Sequence, residues 1–127
     1  MTIITTREEF DAMLREPQAI LFVFFDWSGQ AQDSCRMFEE WERAWSAKNP
    51  GASVRFYRLD PDSHPETWGW LAENARSDEG REGGYGSATW IRDGKAVGYI
   101  RYVAKAGKNT LSRLTAEYLG PHHTGGT

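Results

Sequence analysis

Residues Ala19 to Phe25 form an unbroken apolar run, A-I-L-F-V-F-F, built largely from β-formers. A strand with one face in water alternates polar and apolar positions, so a run without alternation suits a central strand covered on both faces. The run empties into Asp26-Trp27-Ser28-Gly29, a turn with small residues, and then into a helical pattern. Open α/β sheets gather ligands at the carboxyl ends of their strands, where strand passes to helix. The stretch from Pro17 to Met37 therefore predicts both the centre of the fold and the first place to look for chemistry.

The chain has 127 residues, enough for one domain with a genuine core. Residues 1–120 are expected to form that domain and 121–127 a flexible tail. The net charge is only −3 and the charges are mixed; without a basic stripe, a nucleic-acid partner is not expected. No apolar run reaches the roughly 18–20 residues of a membrane span. Met1 to Ile4 lacks the charged and apolar regions of a secretion signal, so a cytoplasmic location is expected. Cys35 is the single cysteine, which excludes an internal disulfide and a cysteine-built zinc cage. Six tryptophans is a high number for this length. Most are expected in the core, and an exposed one would suit a binding surface.

Thr2 to Ile4 reads as a short strand. Thr6-Arg7-Glu8-Glu9 has capping-box spacing and opens a helix over about 7–15, which stops near Pro17. After the central strand, Ser34, Met37, Phe38, Trp41, Ala44 and Trp45 make the apolar stripe of an amphipathic helix that ends near Asn49-Pro50-Gly51. Ser28 and Asp33 both fit as its N-cap. Val54 to Leu59 reads as a strand closed by Asp60-Pro61-Asp62. Ser63-His64-Pro65-Glu66 has the spacing of a second cap, ahead of a helical face of Trp68, Leu71, Ala72 and Ala75. Ser77 to Gly86 is polar and glycine-rich and reads as a flexible connector; residues 77–84 are expected to be the most mobile internal segment, with a flap over the edge beside Trp27 as the alternative reading. Thr89–Arg92 and Ala96–Tyr102 read as strands of a hairpin turned at Asp93-Gly94. Asn109 is expected to cap a last helix with Leu111, Leu114 and Tyr118 inward, ended by Gly120-Pro121. The order β-α-β-α-β-α-β-β-α predicts an α/β mixed sheet of four or five strands with helices on both faces.

That order, with these local sequences, resembles the thioredoxin-like superfamily over nearly the whole chain. A-I-L-F-V-F-F-D-W-S-G resembles the family's central strand running into W-C-G-P-C. R-L-D-P-D-S-H-P, from Arg58 to Pro65, resembles the second parallel strand and its exit. Tyr85-Gly86-Ser87-Ala88-Thr89 followed by Asp93-Gly94-Lys95 resembles the G-x-P-T segment and its hairpin. The departures fall where the family does its chemistry. In the preferred alignment Trp27-Ser28-Gly29-Gln30-Ala31 replaces W-C-G-P-C, so Ser28 and Ala31 stand in place of the two cysteines. Ala88 occupies the cis-proline position, and Phe22 replaces the buried acid. A second alignment matches Gln32-Asp33-Ser34-Cys35-Arg36-Met37 to C-G-P-C-K-M; there Gln32 replaces the attacking cysteine. Dithiol exchange needs a low-pKa thiolate and a second thiol to resolve the mixed disulfide, and neither alignment supplies both.

The resemblance implies a thioredoxin-like domain without dithiol activity, with no cofactor, acting as a protein- or peptide-binding module. Its groove would lie between Trp27, Ser28, Gly29, Gln30 and Ala31 on one side and Tyr85, Gly86, Ser87 and Ala88 on the other. Trp27 and Tyr85 would be its anchors, and free backbone groups at Ser87 would receive an extended peptide. The alternative is an enzyme using Cys35 as a lone thiol. Three lesser readings follow from the residues. Ser28, His64 and Asp62 would suit a hydrolytic triad if the fold brought them together. Asp60, Asp62, His64 and Glu66 have metal-ligand chemistry, but a turn and a cap explain them without a metal. His122-His123 reads as a solvated tail.

Overall fold

The computed structural model describes residues 1–74 and 84–120. The expected mobile connector as far as Gly83, Ala75, and the C-terminal tail with His122 and His123 lie outside the described residues. The elements are β1 (Thr2–Ile3), α1 (Arg7–Arg15), β2 (Gln18–Val23), α2 (Gly29–Lys48), β3 (Val54–Leu59), a 3-10 turn (Pro65–Thr67), α3 (Trp68–Asn74), β4 (Ser87–Arg92), β5 (Lys95–Ile100), α4 (Val103–Ala106) and α5 (Lys108–Leu119). The sheet runs β1-β3-β2-β4-β5. The first three strands in that order are parallel, and β4 and β5 are antiparallel to their neighbours. Among the described residues no helix is long and apolar enough to cross a membrane.

All six residues of β2 are buried, as an apolar run without alternation requires. Its side chains still alternate between faces. Ala19, Leu21 and Val23 pack with Phe10, Met13 and Leu71, from α1 and α3. Ile20 and Phe22 pack with Phe38, Trp41, Trp90, Leu111 and Leu114, toward α2 and α5. The strand begins one residue early, at Gln18, and ends at Val23. Phe24 is still tied to β3 by its N–H donating to the Leu59 carbonyl at 2.8 Å.

The local signals are realised unevenly. The α1 capping box is complete: Thr6 Oγ1 accepts from the Glu9 N–H at 3.1 Å, and Glu9 Oε1 accepts from the Thr6 N–H at 3.1 Å. The hairpin turn has φ of 53° at Asp93 and 81° at Gly94, the two left-handed residues of a type I′ turn. The expected cap at Ser63 is absent, because its hydroxyl turns back to Asp60 Oδ2 at 3.4 Å and His64 precedes the 3-10 turn. Asn109 is not a cap either. A short helix, α4, comes first, and α5 follows directly from Gly107, whose carbonyl accepts from the Leu111 N–H at 3.2 Å. Ala44 and Ala72 are exposed rather than inward. Their single methyl groups do not reach back to the core, whereas Trp45 reaches Phe56 with ring centres 5.8 Å apart. β4 starts at Ser87, ahead of Thr89, because Ser87 and Ala88 already pair with Val23 and Phe22.

Candidate functional site

The parallel strands β2 and β3 release their chains at one edge of the sheet, and the turn after β2 crosses it. The Gln32 side-chain amide donates to the Asp26 carbonyl at 2.8 Å and helps fold the turn back on α2. Ser28 is the N-cap of α2, with φ −105° and ψ 122°, and its Oγ accepts from the Ala31 N–H at 3.1 Å. Ala31 stands three residues after the cap and is fully buried. This is the geometry of the preferred alignment. In the other alignment the turn would fall at 32–35, which the structure places inside the helix.

Trp27 projects from this turn, 63% exposed. Its Nε1–H donates to Asp62 Oδ2 at 2.8 Å, and its ring centre lies 5.5 Å from that of Phe25. The far edge of the indole lies against Gly84, where an added Cβ would come within 2.6 Å of it. With φ of +58° and a ring pressed on its Cα, position 84 accepts only glycine. The exits of β2 and β3 and the approach to β4 thus converge on one indole.

Tyr85, half-buried, stacks on Tyr102 with ring centres 4.8 Å apart, and the Arg101 guanidinium lies 5.1 Å from its ring centre. Its carbonyl accepts from Ser34 Oγ at 2.9 Å, and the same Oγ accepts from the Ala104 N–H at 3.0 Å. At Gly86, φ is +92° and an added Cβ would lie 2.6 Å from Ser34 Cβ, so α2 and this segment touch with no room between them. Gly86 also accepts from the Val103 N–H at 3.0 Å. Every peptide bond among the described residues is trans, Ser87–Ala88 included.

The expected free backbone at Ser87 needs correction. Ser87 is 6% exposed and paired with Val23 in β4, and Ala88 is paired on both sides, with Phe22 and Ile100. Of the residues expected to line a groove, Ser28, Ala31, Gly86, Ser87 and Ala88 are buried, and those that meet solvent are Trp27, Gly29 and Gln30, with Tyr85 in part. Ser34, expected only as part of the apolar stripe of α2 or of the second alignment, builds this edge together with Gly84 and Tyr102, to which the sequence assigns no role there. The G-x-G spacing around Tyr85 was the available signal for a close approach there.

The triad does not assemble. Ser28 Oγ is engaged with the Ala31 N–H and donates to Gln30 Oε1 at 3.3 Å. His64 Nδ1 lies 3.9 Å from Glu66, and Asp62 takes the Trp27 indole. Asp60 Oδ1 accepts from the Asp62 N–H at 3.0 Å, closing its own turn. Among the described residues no three acidic, histidine or cysteine side chains converge as a metal cage would require.

Cys35 is 6% exposed, in the second turn of α2 among Phe38, Phe56 and Trp41. Burial pushes its thiol pKa up, and the Arg58 guanidinium, donating to Sγ at 3.5 Å, opposes that only in part. Arg58 is itself shared with Glu39 at 3.6 Å. A cavity of about 410 Å³ opens at the other end of the sheet, between the last turns of α2 and α5, lined by Gln18, Trp45, Val54, Thr115 and Leu119. Among the described residues no charged side chain lines it, and it lies at the amino ends of β2 and β3, away from the Trp27 turn.

No protein-family model matches the chain, and no curated protein does. Solved structures do. A thioredoxin of Plasmodium falciparum superposes with TM-score 0.65 at 20% identity, over 93% of this chain and 99% of that one. A thioredoxin of Fasciola hepatica gives TM-score 0.63 at 18% identity, over 93% and 99%. Oxidised thioredoxin O2 of Arabidopsis thaliana gives TM-score 0.65 at 18% identity, over 92% and 93%. With Ser28 at the helix cap, Ala31 beneath it and Cys35 the sole thiol, this chain has the thioredoxin-like fold in a divergent form, without the C-x-x-C pair and without the cis-proline.

Proposed function

We propose that this protein is a binding module: a thioredoxin-like domain whose former active-site groove recognises a protein or extended peptide and performs no dithiol exchange. We keep with it the cytoplasmic location expected from the sequence. The observation that carries the reading is Trp27, a large indole 63% exposed at the edge where three chain segments meet. An aromatic anchor on a rigid platform is the usual centre of an interface, because it offers much apolar area with little side-chain entropy to lose. The Asp62 bond and the Gly84 contact hold that anchor in place before a partner arrives.

One variant tests it. Trp27→Ala removes an exposed hydrogen bond and partial packing, so about 1 kcal/mol of stability is expected to go, well short of the about 3–5 kcal/mol of a core truncation. Proteins retained from native lysate by the wild type are expected to be lost by the variant, with binding weaker by roughly 2 kcal/mol or more. Unaltered retention would overturn the proposal.

A further inference from the structure

Three carboxylates stand at the edge that carries Trp27: Asp26 and Asp62 exposed, Asp60 half-buried. Among the described residues none of them pairs with a cation. Three cations at this end are engaged elsewhere, Arg36 with Asp33, Arg58 with Glu39 beneath α2, and Arg101 over the Tyr85 ring, and Lys105, exposed on α4, makes no ion pair with these carboxylates. The segment that joins α3 to Gly84 carries Asp78, Glu79 and Glu82 against Arg76 and Arg81, so its sequence adds no net positive charge.

Resting on the binding-module reading, we infer that the segment recognised at this groove is basic, with a lysine or arginine side chain laid across the Trp27 indole toward Asp62 and Asp26. The electron-rich face of an indole is the best aromatic surface for a cation. The apolar stem of lysine or arginine covers the ring while its charge stays at the wet rim. The Nε1–H bond fixes a carboxylate at the edge of the same ring, so ring and charge attract the same group. An acidic or wholly apolar segment seated here would bring the carboxylates out of water with nothing to neutralise them, which selects against such partners. The attraction is exposed and therefore screened by salt.

The test is selection of a random peptide display library on the immobilised protein. Binders are then measured against wild type, Trp27→Ala, Asp26→Asn and the pair Asp26→Asn with Asp62→Asn. Asparagine at 62 still accepts the indole N–H, and the Asp26 side chain makes no hydrogen bond among the described residues, so folding is not at stake. The expected binders are enriched in lysine and arginine and lose binding on Trp27→Ala. They weaken about fivefold on the double asparagine variant at low salt, and high salt erases that difference. Binders that need Trp27 but show no basic enrichment, or ignore the asparagines, overturn the charge inference and leave the groove reading standing. Binders indifferent to Trp27→Ala, or a library that yields none, overturn both.

Discussion

Cys35 shows how one residue's surroundings decide its chemistry. Thiol reagents react with the thiolate, and a thiol buried among aromatic rings keeps its proton. Arg58 and Glu39, side by side at the sulfur, pull in opposite directions and leave desolvation in control. Native protein is therefore expected to react slowly with a disulfide reagent, and urea-unfolded protein quickly; equal rates would mean that Cys35 is open. The same burial has a pH signature. Because the folded pKa is raised, the contribution of Cys35 is complete below the ordinary thiol pKa, about 8.5. Above it the unfolded chain releases a proton that the fold retains, so stability falls as pH climbs toward the raised folded value. Tyr57, raised by burial and then by Glu16, pushes the same way at higher pH. Urea melts across the alkaline range should show a smaller decline for Cys35→Ala than for wild type, and parallel curves would refute the assignment.

At the scale of elements, Ser34 joins three parts that are far apart in sequence. Its hydroxyl, fully buried on α2, donates to Tyr85 before β4 and accepts from Ala104 in α4. Ser34→Ala would leave a part-buried carbonyl and a part-buried N–H without that partner, a loss of about 1–2 kcal/mol. Faster hydrogen exchange at the Ala104 amide should accompany it; unchanged exchange would mean that packing at Gly86 alone holds the segment. This latch also marks where sequence reading ends. The β2 run, the α1 capping box and the Asp93-Gly94 turn were legible because each is written in adjacent residues. Helix α4 was not, since four residues ending at Gly107 have no periodicity, and its first amides are held by Gly86 and Ser34. Ser63 carried cap chemistry that lost to Asp60, and Asn109 fell inside a helix that starts at Lys108. Whether Trp27 would be one of the core tryptophans or an exposed one depended on Asp62, 35 residues away, and on Gly84. The burial of Ser87 depended on β4 starting before Thr89.

At the scale of the molecule, sharing a fold with the thioredoxins asks far less of a sequence than sharing their chemistry. A sheet with the order β1-β3-β2-β4-β5 needs a buried central strand and helices on both faces, which many sequences supply, and 18–20% identity suffices for a near-complete superposition. Disulfide exchange needs much more: a thiolate at a helix N-terminus, where the dipole stabilises it, and a second thiol within bonding reach. Here the cap position holds a serine, and the only thiol lies seven residues on. At 1.5 Å of rise per residue that is about 10 Å along the helix, beyond the separation of roughly 7 Å that a disulfide tolerates. A cysteine introduced at Ser28 alone therefore could not pair with Cys35. With dithiothreitol or a reductase as electron source, the wild type is expected to leave insulin disulfides at the reductant-only rate, and turnover above that rate would contradict the proposed function. Ser28→Cys combined with Ala31→Cys tests whether the scaffold still presents the turn correctly. The cap and third helical positions face each other closely enough for Ser28 Oγ to reach the Ala31 N–H at 3.1 Å. The paired variant is expected to close an intramolecular disulfide in air, seen as the loss of two titratable thiols while Cys35 stays protected. Thiols that remain free at 28 and 31 would show that divergence had reached the backbone of the turn as well as its side chains.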